Sequence, residues 1–136
     1  TLDDLKRNLQ SLANSISSKL NERQGYLDKA DEIQKVYDRL ARDKKTIKEY
    51  RNDIVYFYKE SYNEFKGDNY KYTYKPSIQD LRDSYDDVIS NIDINLDALN
   101  NQILSYKNKA SGCLGSLGYM QIAYNSVKTQ IQNWTN

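Results

Sequence analysis

Residues 78–134 read IQDLRDSYDDVISNIDINLDALNNQILSYKNKASGCLGSLGYMQIAYNSVKTQIQNW, and their apolar spacing decides the fold. Ile78, Leu81, Tyr85, Val88, Ile92, Leu96, Leu99 and Ile103 are followed by Tyr106, Ala110, Cys113, Leu117, Met120, Tyr124, Val127, Ile131 and Trp134. The steps are three or four residues throughout, with a doubled four between Val88 and Leu99. A sustained 3-4 alternation is the heptad stripe of a helix that packs along another helix. The doubled four makes an 11-residue stretch, which relaxes a left-handed supercoil. The alternation of Asn91–Asp97 would also suit a strand, but the helical stripe continues on both sides of it.

The first half carries the same pattern more loosely. Leu2, Leu5, Leu9, Leu12, Ile16 and Leu20 form one run, and Leu27, Ala30, Ile33, Tyr37, Leu40, Ile47, Ile54, Tyr58 and Phe65 form the next. Lys44 and Arg51 occupy positions where an apolar residue is expected. Asp3–Arg7, Asp31–Lys35 and Asp38–Arg42 are acid-first i,i+4 pairs that suit an exposed helical face. Between the halves, Lys66–Pro76 holds the only Pro and a Gly-Asp-Asn cluster, so it reads as the one turn. Ser77, with Asp80 three residues on, suits a helix N-cap.

The spacing therefore predicts an all-α fold: an elongated, coiled-coil-like antiparallel hairpin forming a single domain over 1–136. Helix 1 is expected over about 2–65, the turn over about 66–76 and helix 2 over about 77–134, each helix roughly 90 Å long. Charge supports this pairing. Arg42, Lys44, Lys45, Lys48, Arg51 and Lys59 precede the turn, while Asp80, Asp83, Asp86, Asp87, Asp93 and Asp97 follow it. Folding back sets basic beside acidic and places Arg51 near Asn91. Gly112, Gly115 and Gly118 cost an exposed helix about 3 kcal/mol together. Irregularity is therefore expected near 111–118: a break with a short third helix over Tyr119–Trp134, or small residues allowing a close helix contact. The balance favours a weakened helix that a partner completes.

Composition narrows the function. The 136 residues include 20 basic and 19 acidic side chains, no His, one Cys and 13 Tyr. Without His and with one Cys there is no thiolate or imidazole zinc site, no His-based nucleophilic catalysis and no intramolecular disulfide. No catalytic residue, metal ligand or cofactor site is expected. Asp93-x-Asn95-x-Asp97 matches three EF-hand ligand positions, but Ala98 and Leu104 stand where that loop needs Gly and Glu. A net charge of +1 gives no bulk drive toward nucleic acid. No apolar run spans a membrane, and residues 1–10 lack the apolar core of a Sec-type signal. A mean hydropathy of −0.91 suits helices that bury one stripe each.

Aromatic residues crowd the turn. Phe57, Tyr58, Phe65, Tyr70 and Tyr72, interleaved with lysines, are candidate protein-contact residues, because Tyr supplies large, adaptable interface area. Met120, Tyr124 and Trp134 are the candidates at the other end. Packing of the hairpin tip, self-association into a homodimer and stacking on single-stranded nucleic acid are the alternatives.

The aromatic-x-Gly at the turn, Phe65-Lys66-Gly67, between two long helices resembles the WXG-type proteins of type VII secretion, with Phe in place of Trp. The chain as a whole is more similar to the YwqH-like family, small helical proteins found beside LXG toxins in Gram-positive bacteria. That resemblance implies a helper that binds the helical N-terminal domain of an LXG toxin, with room for a second small helper. It also implies a cytoplasmic protein, co-exported or not by a Sec-independent route. Tyr56-x-x-x-Glu60 fits the export motif of that system by letter but precedes the turn, and chance alone provides such a match. No Leu-x-Gly occurs, so the chain is not expected to be the toxin domain itself.

Overall fold

A computed structural model describes residues 1–64 and 75–135, the side chains of 57–64 excepted. The chain is an all-α helical hairpin of two long helices packed on each other. Helix α1 runs Leu2–Glu64 and α2 runs Lys75–Thr135. Thr1 caps α1: its hydroxyl accepts from the Asp4 amide at 3.3 Å and donates to the Asp4 carboxylate at 2.9 Å. This is a capping-box arrangement with Asp in the Glu position. α2 begins two residues before the expected Ser77 cap. Pro76 falls in its first turn, where the missing N–H has no intrahelical acceptor to lose.

Contacts group the chain into two compact units, one of residues 1–33 with 102–136 and the other of residues 34–101. In the first unit the buried residues are Ala30 from α1 and Ile103, Ala110, Cys113 and Val127 from α2. Tyr26 and Tyr106 meet across the helices, ring centroids 6.3 Å apart. In the second unit Ile92 and Leu96 are buried. There Lys44 pairs with Asp93, and Arg51 with Asp86. Seven residues forward on α1 meets seven residues back on α2, which is the signature of antiparallel heptads in register.

Three expectations need correction. First, the inward-facing positions of α2 run Ile78, Arg82, Tyr85, Ile89, Ile92 and Leu96, while Leu81 and Val88 are 47% and 45% exposed. The steps of three and four alternate without the doubled four, so no 11-residue stretch exists. On α1 the half-buried positions after Ile16 are Lys19 and Arg23, and Leu20 is 50% exposed. Strict helical phase outweighs the preference for the nearest Leu. Lys19, Lys44 and Arg51 are half-buried there and reach the carboxylates of Glu22, Asp93 and Asp86.

Second, Arg51 meets Asp86 rather than the neighbourhood of Asn91. Third, α2 continues unbroken through 111–118. Gly112, Gly115 and Gly118 are exposed, and a Cβ on any of them would meet nothing within 4 Å. The glycines are therefore not a close contact inside the hairpin. Cys113, Leu117 and Met120 carry the packing through this segment, and tertiary burial overrides the low helix propensity.

The expected acid-first pairs do not form either. Arg7 binds Asp4 at 3.0 Å, Asp38 accepts from Gln34 at 3.0 Å, and Lys35 and Arg42 have no ion pair among the described residues. Exposed pairs carry too little energy to dictate rotamers.

Candidate partner-binding face

The sequence-derived candidates divide into three groups. Phe65, Gly67, Tyr70 and Tyr72 lie outside the described residues, as do the side chains of Phe57 and Tyr58. Met120 and Tyr124 are half-buried on the α2 stripe that faces α1. Trp134 is 61% exposed near the end of α2.

The structure adds exposed apolar residues that stripe reasoning passes over, because they fall off the inward row. In the first unit Leu104, Leu114, Tyr119 and Ile122 are 58%, 51%, 80% and 69% exposed. Leu104, Asn108, Ser111, Gly115, Gly118 and Ile122 are spaced by alternating fours and threes and are all exposed. They form a second helical row, on the side of α2 turned away from its buried row. Searching each helix for two phased rows instead of one would find it.

Charge is distributed unevenly around this row. From Ala98 to Asn136 there are three lysines, Lys107, Lys109 and Lys128, and no Asp or Glu. Lys109 sits over the Tyr106 and Tyr26 rings at 5.2 and 5.9 Å, and Lys29 lies over Tyr106 at 5.5 Å. Lys107 and Lys128 make no ion pair among the described residues. On α1, Lys19 pairs with Glu22 at 2.8 Å. That hydrogen bond holds the Glu22 carboxyl below its usual range and raises the Lys19 ammonium. The Glu22 charge pushes the Tyr26 phenol up. The Nε of Arg23 is buried without a hydrogen-bond partner.

Among the described residues few side chains are fully withdrawn from water, and none of the large ones is.

Other chemistry has less to build on. A recess of about 350 Å³ is lined by Lys48, Arg51, Asn52, Asp86 and Ile89. Its Arg51 and Asp86 are engaged with each other. Asp93, Asn95 and Asp97 lie on one helix, with Asp93 paired to Lys44. Among the described residues no group of three His, Cys, Asp or Glu is placed to hold a metal, and no helix is long and apolar enough to cross a membrane. No protein-family model, curated protein or solved structure matches the chain.

Proposed function

We propose that this chain is a non-enzymatic adaptor that binds the helical N-terminal domain of an LXG-type toxin and assists its export by type VII secretion. The observation that carries the reading is the second, exposed row on α2, bearing Leu104 and Ile122 and flanked by exposed Leu114 and Tyr119, beside a thin internal core. Two helices bury one stripe each, and a client helix laid along the open row completes a bundle. The resemblance of the chain as a whole to the YwqH-like family supplies the client, and the WXG-like turn Phe65-Lys66-Gly67 supports the route.

The test is genetic. In a bacterium encoding this chain beside an LXG toxin, deleting the chain abolishes export of that toxin, and restoring it in trans returns export. Unchanged export without the chain refutes the adaptor role.

A further inference from the structure

We infer that the row from Leu104 to Ile122 on α2 docks one amphipathic helix of a partner whose apolar stripe is flanked by carboxylates. The inference rests on the adaptor reading for its helical client and goes further by naming the surface and the charge that the client must carry.

Three observations lead there. The row is apolar at its ends, Leu104 and Ile122, polar at Asn108, small at Ser111, Gly115 and Gly118, and free of charge. Leu114 and Tyr119 widen it on its two sides, both more than half exposed. Leu104 to Ile122 covers about 27 Å at 1.5 Å per residue, five turns of helix, which suits a helix laid along it.

The second observation is the charge of the surroundings. Lys107 and Lys128 share the heptad position of Leu114, along one border of the row, and neither has an anion among the described residues. The stretch from Ala98 to Asn136 itself holds no carboxylate side chain; those of the unit lie on α1. A partner with Glu or Asp beside its apolar stripe supplies the missing countercharge.

The third follows from the second. A second copy of this same face offers only lysines, so α2 against α2 sets like charge near like charge with no acid to relieve it. Complementarity therefore selects a different, acidic-flanked helix over self-association through this row.

The probes are two synthetic 21-residue amphipathic helices with the same Leu/Ala stripe, one flanked by Glu and one by Lys. Binding to the full chain is followed by fluorescence anisotropy, with circular dichroism of each variant as the folding control. The Glu-flanked helix is expected to bind at least about tenfold more tightly and to weaken with salt. Tyr119→Glu and Ile122→Glu, at exposed positions that the fold does not need, should each reduce that binding about tenfold. K107E/K128E should reverse the preference between the probes. Equal affinity for both probes, or binding indifferent to the face variants, overturns the inference. So does a homodimer of the chain that Ile122→Glu dissolves. Failure of the surface and failure of the adaptor reading remain distinguishable. A co-expressed toxin domain that still binds the Ile122→Glu variant sinks the surface alone. A Glu-flanked probe that binds while no toxin domain does sinks the adaptor reading alone.

Discussion

Replacing Gly112, Gly115 and Gly118 with Ala should stabilise the protein, although three glycines within seven residues suggest a break. All three are helical, have no positive φ, and have open space where a Cβ would stand. Each Ala therefore gains helix propensity, about 1 kcal/mol per site, with no steric cost to set against it. The glycines are not packed on one another, so the effects should add to about 3 kcal/mol for the triple variant. That is a large increment for a chain whose total stability is expected to be roughly 5–15 kcal/mol. The assay is urea unfolding followed by circular dichroism at 222 nm, with thermal melting alongside. The midpoint should rise without a change in slope, and the melting temperature by roughly 10 °C. A single variant that destabilises, or a triple variant that gains nothing, would refute a continuous exposed helix through 112–118.

Other expectations follow from the same packing. Ile103→Ala, at a position 5% exposed, should cost about 2–3 kcal/mol, whereas Ile122→Ala on the outer row should change stability by about 0.5 kcal/mol or less in the same assay. A double-mutant cycle on Arg51 and Asp86, both partly exposed, should give a coupling of about 0.2–1 kcal/mol that shrinks in high salt; zero coupling at low salt would contradict the register. The Glu22 carboxyl, held low by Lys19, should titrate upward in a Lys19→Met variant by NMR. Its contribution to stability is present above the unfolded carboxylate range and is lost as pH falls through the depressed folded value. Cys113, buried in the first unit, should react slowly with a thiol reagent in the native protein and rapidly in denaturant; fast native labelling would contradict its place in the contact.

Much of the fold was legible because helical packing leaves a periodic trace in apolar residues. The main stripe from Ile92 to Val127 needed only counting. What was misread was phase. Leu20, Leu81 and Val88 attracted the stripe by hydrophobicity, yet the inward positions belong to Lys19, Arg82 and Ile89. A long cation can occupy such a position because its stem is apolar and its head reaches water or an acid. Lys44 and Arg51, which looked like interruptions, find Asp93 and Asp86. The break with a short third helix does not form at the three glycines, because propensity speaks for an isolated helix and not for one whose other face is packed. The candidate site was less legible. Aromatic crowding and the inward stripe point to Phe57, Tyr58, Phe65, Tyr70, Tyr72, Met120, Tyr124 and Trp134 instead. The exposed row on α2 has only Leu104 and Ile122 as its large apolar residues, too sparse for periodicity to announce, and becomes visible once the inward face is fixed.

The adaptor role is tested most directly by light scattering on the 136-residue chain co-expressed with the N-terminal domain of an LXG toxin encoded beside it. The expected result is a monomer near 15.9 kDa when the chain is alone and a stable heteromeric complex with the toxin domain. A tight homodimer whose mass is unchanged by the toxin domain would contradict it.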